Sequence, residues 1–239
     1  MKKIFLACLA TIATVALFSQ NTQENIVKCH TYEMQDRLFE SDPALKEAAE
    51  ILGAQILKRA KELERTGFQK DGDPYIIPVV FHIIHNYGPE NISIAQIEDA
   101  IRVMTDDFNG NRNAIETGQE AFVDIIGDVE VEFRLAKLDP EGNCTNGVVR
   151  TLSILTTSGG ENLKTVSPIW DRSKYMNIWV CKNIASGAAG YTYYPSSLAG
   201  DFGETNDGIV VRYDYVGSNG ESTLGRSHVL SHEVGHWID

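Results

Sequence analysis

The sequence predicts an α/β fold in which strands and helices alternate before a last helix that carries two histidines. Residues 75–84 form an apolar run rich in β-branched side chains, and residues 93–108 place apolar side chains at helical spacing. Residues 129–135 alternate between apolar and charged side chains, which is typical of a half-buried strand. Short apolar runs at 178–180 and 209–211 predict further strands. This order predicts one sheet domain with helices packed against it.

A separate helix is predicted ahead of this domain. Asp42 can cap its N-terminus, Pro43 suits its first turn, and apolar residues then recur at helical spacing. The pattern stops at Gly67, and a short polar link follows. We therefore divide the chain into a largely helical segment at residues 20–72 and a sheet domain at residues 73–239.

Residues 1–19 have the pattern of a secretory signal peptide. Lys2 and Lys3 give a basic start, and residues 4–18 are uncharged and mostly apolar. That run is shorter than the roughly 18–20 residues that span a bilayer. We expect an exported protein that has no membrane-inserted segment once the signal has been removed.

The charge of the chain argues against two classes of partner. The formal net charge is −12, and removal of the two signal lysines makes the exported chain more acidic. An acidic protein is repelled by nucleic acids and by anionic membrane surfaces. The charge says little about which other molecules the protein binds.

Three of the four cysteines lie outside the signal: Cys29, Cys144 and Cys181. Export permits disulfides, but an odd number leaves one cysteine free, bound to metal or paired outside the chain. We expect a disulfide between Cys144 and Cys181, because both lie in the sheet domain.

The motif His-Glu-x-x-His at residues 232–236 predicts a zinc site with its own general base. His232 and His236 are four residues apart, so on a helix both imidazoles project from one face and can reach one Zn²⁺. Glu233 could take a proton from a zinc-bound water. A catalytic zinc normally has three protein ligands, and this motif supplies two. The alternative is an amphipathic helix in which the motif is accidental.

The segment His-Glu-Val-Gly-His-Trp resembles the zinc helix of the pappalysin (cytophagalysin) family of metzincin proteases. The family motif continues x-x-Gly-x-x-His, which places the glycine on Asp239 and a third histidine beyond it. Shorter similarities follow the family order from about residue 75 onward. The resemblance implies a metzincin upper subdomain: a mixed, mostly parallel twisted sheet, a backing helix and the zinc helix. The lower subdomain, the third histidine and the methionine turn would lie beyond Asp239, so the sequence is expected to be truncated.

The resemblance also implies latency and cofactors, with residues 20–72 as a prosegment and residues 73–239 as the N-terminal part of the catalytic domain. Some proteases of this kind are zymogens in which a prosegment cysteine thiolate occupies the open zinc position, and Cys29 could be that ligand; a disulfide or an idle thiol is the alternative. Residues 187–195 resemble the edge strand that binds extended peptides, or else form a glycine-rich loop. Residues 139–146 and 201–207 contain oxygen ligands for Ca²⁺, which relatives bind, or else form ordinary turns.

The remaining histidines are interpreted as structural. His228 lies four residues before His232, but successive four-residue steps drift by about 40° around a helix, so three histidines do not converge on one ion. His228 is therefore expected on the helix surface or behind the ligands. His82 and His85 lie in or just after a strand, where a histidine with hydrogen-bond partners is the common case.

Together these features predict a secreted zinc-dependent endopeptidase that is made as a latent zymogen and acts on peptide or protein substrates. Two rival functions stay open. One is a truncated, inactive metzincin relative that binds metal or peptide, and the other is a secreted interaction module with an accidental motif.

Overall fold

The computed structural model describes residues 28–67, 72–110 and 127–238. The expected signal peptide and Asp239 lie outside these residues. Within the described parts of the chain, no helix combines the length and the apolar character that crossing a bilayer requires.

The sheet has six strands and is mostly parallel. Its strands run in the order β2-β1-β4-β6-β5, and β3 pairs with β1 beyond the end of β2. All pairs are parallel except β5 with β6. This topology confirms the predicted α/β class with a mixed, mostly parallel sheet. The strands are β1 (Tyr75–His85), β2 (Val131–Leu135), β3 (Val148–Leu152), β4 (Met176–Cys181), β5 (Gly190–Tyr191) and β6 (Ile209–Arg212).

Six α-helices accompany the sheet in the described residues. Two precede it and four follow strands or lie between them. They are α1 (Thr31–Ser41), α2 (Pro43–Thr66), α3 (Ile94–Phe108), α4 (Leu163–Val166), α5 (Gly200–Asn206) and α6 (Val229–Ile238). Short 3-10 turns occur at Ile154–Ser158, Pro195–Ser197, Tyr213–Tyr215 and Leu224–Arg226.

The helix ends follow the capping residues in the sequence. The Asp42 side chain accepts a hydrogen bond from the Ala44 amide, and Gly67 ends α2 with a left-handed backbone (φ 64°). Ser93 caps α3 by accepting from the Gln96 amide at 3.1 Å. These local contacts confirm the predicted helix boundaries.

The main core lies between one face of the sheet and the helices α3 and α6. The α3 residues Ile97 and Met104 pack there with Leu230 and Val234 of α6, and all four are fully or almost fully buried. The opposite face packs against the segment around α4, through residues such as Trp179. Because β1, β4 and β6 are covered on both faces, they consist mainly of apolar residues.

The predicted disulfide between Cys144 and Cys181 is absent, and the described cysteines are all free. Cys144 is exposed in the loop after β2, whereas Cys181 is the buried last residue of β4. The Cys181 sulfur lies 3.4 Å from the Asn183 carbonyl oxygen, and burial raises the pKa of its thiol to about 12. Sharing a domain was therefore not a sufficient reason to expect pairing.

His82 is a core residue, as the sequence analysis expected of a strand histidine. Its ring stacks on Trp179 with centroids 4.7 Å apart, and its Nε2 lies 3.0 Å from Asn177 Oδ1. Since Asn177 Oδ1 is an acceptor, Nε2 carries the proton, and Nδ1 accepts from the Ser167 hydroxyl at 2.8 Å. Burial lowers the pKa of His82 to about 4.

This buried histidine predicts a loss of stability in mild acid. A pKa that is lower in the folded chain than in the unfolded chain means that the unfolded chain binds the proton first, so stability falls as pH drops from about 6.5 towards 4. We expect the free energy of unfolding to fall by about 2 kcal/mol more between pH 7 and pH 5 in the parent than in His82→Gln. Urea unfolding at both pH values measures this, and equal losses in the two proteins would contradict it.

Candidate active site

The helix α6 places the motif residues by burying one of its faces. Leu230 and Val234, four residues apart, point into the core, so His232 and His236 lie away from it. His232 is exposed and His236 is half-buried. The Nε2 atoms of the two rings lie 3.1 Å apart. The predicted spacing thus brings both imidazoles to one point on the helix surface.

Cys29 joins the two histidines from the other end of the chain. One ligand atom from each of Cys29, His232 and His236 lies within 4.8 Å of the others, and this is the one such group of three or more among the described residues. Ligands around a tetrahedral zinc are about 3.5 Å apart, so small side-chain shifts would bring all three into its shell. Thiolate and imidazole are the ligands that zinc prefers. The residues therefore fit a zinc ion.

Glu233 is completely buried beside this cluster. Its Oε2 accepts a hydrogen bond from the Thr31 hydroxyl at 3.2 Å and lies 3.6 Å from the Cys29 sulfur. Desolvation raises the pKa of Glu233 to about 7. Desolvation, followed by the charge of Glu233, also raises the pKa of the Cys29 thiol.

The N-terminal segment lies along the edge strand β5. The Ala189 amide donates to the Lys28 carbonyl at 3.3 Å, and the His30 amide donates to the Gly190 carbonyl at 3.4 Å. Beyond them, the Thr192 amide donates to the Thr31 hydroxyl at 3.2 Å. Because β5 is the last strand of the sheet, these bonds use the backbone groups that an added strand would need.

Two tyrosines surround His236. The rings of Tyr32, from α1, and Tyr194, which follows β5, meet its imidazole edge to face with centroids 5.9 and 5.5 Å away. The two tyrosine rings also contact each other at 6.1 Å. The first turn of α1 therefore covers His236 as well as Glu233.

His228 does not join the cluster. Its Nδ1 lies 2.9 Å from a carboxylate oxygen of Asp107, the residue before the last of α3. This contact holds the start of α6 against α3. The sequence interpretation of His228 as a residue outside the ligand set agrees with this position.

The two expected calcium segments are occupied by contacts within the protein. Asp139 accepts from the amides of Glu141 and Asn143, as in an ordinary turn. Asp207 accepts from Trp237 Nε1 at 2.8 Å and from Arg172 Nε at 2.9 Å. Neither segment contains three clustered acidic, histidine or cysteine ligands among the described residues, so calcium is not supported.

The structure also brings Thr31 and Asp207 to the site, although the sequence analysis gave neither a role. Thr31 contacts residues 161 and 202 positions away, and Asp207 contacts a residue 30 positions away. Threonine and aspartate are common residues, and no spacing rule links them to α6. The one sequence signal for Thr31 is that it lies two residues after Cys29.

Gly190 is required for the close approach of β5 to Glu233. A Cβ at this position would lie 2.9 Å from Glu233 Cγ and 3.1 Å from its Oε1. We expect Gly190→Ala to lower the free energy of unfolding by about 1–3 kcal/mol, because it overpacks a buried contact. Urea unfolding is the measurement.

Gly235→Ala is the matched control on the same helix. A Cβ there meets nothing within 4 Å, so we expect no loss of stability and a gain of up to about 1 kcal/mol from helix propensity. Equal destabilisation by the two alanines would show that the contact between β5 and Glu233 is not tight.

Comparisons with known proteins agree with this geometry. A peptidase family model described as pregnancy-associated plasma protein-A matches residues 159–239. No curated protein matches the chain. A promirolysin mutant from Tannerella forsythia is 28% identical with a TM-score of 0.68, covering 89% of this chain and 68% of its own.

Two structures of mature mirolysin are also similar. The T. forsythia enzyme in complex with a cleaved peptide is 32% identical, and mirolysin in complex with compound 9 is 33% identical. Both have a TM-score of 0.61, and each match covers 71% of this chain and 64% of the solved chain. The family match over residues 159–239 and the shared fold make the chain similar to the pappalysin-type metzincin metalloproteases.

Proposed function

We propose that the chain is a secreted zinc-dependent endopeptidase that is made as a latent zymogen. The observation that carries this proposal is the meeting of Cys29, His232 and His236 directly beside the buried carboxylate of Glu233. Export rests on the signal pattern of residues 1–19. Peptide substrates are supported by the position of β5 at the edge of the sheet and by the cleaved peptide bound to mature mirolysin.

Each residue of the site would have a separate role in hydrolysis. His232 and His236 would hold zinc, which supplies Lewis acidity towards the scissile carbonyl and an acidified water. Glu233 would accept a proton from the attacking water at its carboxylate and pass it to the leaving amine. The backbone of β5 would hold the substrate as an added strand, which fixes the scissile bond next to Glu233.

Latency would come from the segment that includes Cys29 and Thr31. The Cys29 thiolate would bind zinc in place of the water. The Thr31 hydroxyl would stay hydrogen-bonded to the Glu233 carboxylate, which must accept the proton. The backbone of Lys28 and His30 blocks the edge strand at the same time. The promirolysin match covers 89% of this chain, whereas the match to mature mirolysin covers 71%. This difference supports a prosegment of this kind.

Glu233→Gln tests the catalytic role. Glutamine keeps the size of the side chain but cannot accept the proton, so we expect peptide hydrolysis by the processed protein to fall at least about 100-fold. Zinc content, measured by atomic absorption, should stay at the parent value. A variant that keeps most of the hydrolytic rate would refute the mechanism.

Cys29→Ser tests the zinc contact of the latent form. A hydroxyl is a much weaker zinc ligand than a thiolate, so activity in the unprocessed protein should appear earlier than in the parent. In cobalt-substituted protein, the sulfur-to-metal charge-transfer absorption should disappear as well. Cys144→Ser is the control, because it makes the same change at an exposed thiol outside the cluster. If Cys29→Ser changes neither the latency nor the cobalt absorption spectrum, Cys29 does not bind the metal.

Thr31→Val tests the second contact of the same segment. Valine has nearly the same shape but cannot bridge Glu233 and the Thr192 amide. We expect the unprocessed double variant with Cys29→Ser to hydrolyse a quenched peptide faster than Cys29→Ser alone. Identical rates would show that the segment is held without the Thr31 hydroxyl.

A further inference from the structure

A partly buried hydrogen bond links the described end of α6 to the turn before β6. Trp237, which directly follows His236, donates its indole N–H to Asp207 Oδ1 at 2.8 Å. His236 is the residue before Trp237, so this hydrogen bond restrains the stretch of helix backbone that carries the His236 ring.

Asp207 is itself held in place on several sides. It is 5% exposed, and its second carboxylate oxygen accepts from Arg172 Nε at 2.9 Å. Arg172 also donates to the Leu198 carbonyl at 3.2 Å, and a Cβ on Gly203 would lie 2.6 Å from its Nη1. The absence of a side chain at Gly203 thus lets the guanidinium reach Asp207. A charged, buried carboxylate that accepts a hydrogen bond at each oxygen is held firmly in position.

The residue that follows Asp207 contacts the segment just after the edge strand β5. Gly208, the residue after Asp207, accepts a hydrogen bond at its carbonyl from the Thr192 hydroxyl at 3.0 Å. Its backbone is left-handed (φ 108°), and a Cβ there would lie 2.5 Å from the Asn177 carbonyl oxygen. This tight turn therefore links the end of β5 and the end of α6 to the start of β6.

We propose that Asp207 is a positioning residue for the zinc site, acting through Trp237 on the ring of His236. It sets the distance between the two imidazoles by fixing the turn on which the second one lies. The start of α6 is fixed separately, by the contact between His228 and Asp107. This inference rests on the zinc site proposed above.

The test compares zinc affinity with the stability of the metal-free chain. Trp237→Phe removes the indole donor and keeps an aromatic ring, and Asp207→Asn keeps an acceptor but loses the charge that holds Arg172. Zinc dissociation constants come from competition with a chelator, and urea unfolding is measured without metal. Outer contacts of this kind typically change metal affinity 10–100-fold. We expect Trp237→Phe to raise the dissociation constant about 10-fold, and Asp207→Asn to raise it less.

Trp179→Phe is the matched control. Trp179 also donates an indole hydrogen bond, to the Ser167 carbonyl at 2.8 Å, but it lies in β4 and packs on the face of the sheet opposite α6. This variant should destabilise the metal-free chain and leave the zinc dissociation constant within twofold of the parent. In the Trp237→Phe background, Asp207→Asn should add little, because the contact is already lost.

The outcomes separate this inference from the proposed function. If the parent binds no zinc, or if His232→Ala leaves its binding unchanged, the zinc site itself is refuted. If the parent binds zinc through His232 and Trp237→Phe leaves the affinity unchanged, the positioning role is overturned. The role is also overturned if Trp179→Phe weakens zinc binding as much as Trp237→Phe does.

Discussion

The docking of α6 against the sheet is the constraint on which the site depends. Leu230 and Val234 bury one face of the helix, and the helical period then turns His232 and His236 outward. The same period places Glu233 at the boundary, where it is buried under β5 instead of the core side chains. A rotation of the helix by even part of a turn would expose the carboxylate or bury the ligands. The apolar residues therefore set the chemistry as much as the motif does.

The burial of Glu233 has a cost that the N-terminal segment partly offsets. A carboxylate taken out of water needs hydrogen-bond donors. Thr31 and the Cys29 thiol face Oε2, while Oε1 has no hydrogen-bond partner among the described residues. When that segment leaves, water would take over these contacts. Under the proposed function, Cys29 and Thr31 would lie where the reactants of hydrolysis would bind. Latency and catalysis would then use the same geometry with different occupants.

The sequence predicted the parts of this structure that depend on local pattern. The period of α6, the caps at Asp42 and Ser93 and the apolar strands follow from neighbours in the chain. The contacts that complete the site do not, since Thr31 lies 202 residues from Glu233. The disulfide prediction failed for the same reason: it needed the distance between Cys144 and Cys181, which pattern does not contain. The family resemblance indicated which residues of α6 could bind zinc, but not the residues that contact them.

Cys29 and Thr31 are two residues apart, so the contacts proposed to keep the protein latent lie on one short segment. Cys29 faces the histidines, Thr31 faces Glu233, and the backbone between them bonds to the edge strand. One short stretch thus contacts the candidate metal ligands, the Glu233 carboxylate and the edge strand together. Loss of a single contact would weaken the hold of the segment without abolishing it, because the other two keep it at high local concentration. Removal of the segment by proteolysis would free all three at once, so activation would be all-or-none for each molecule.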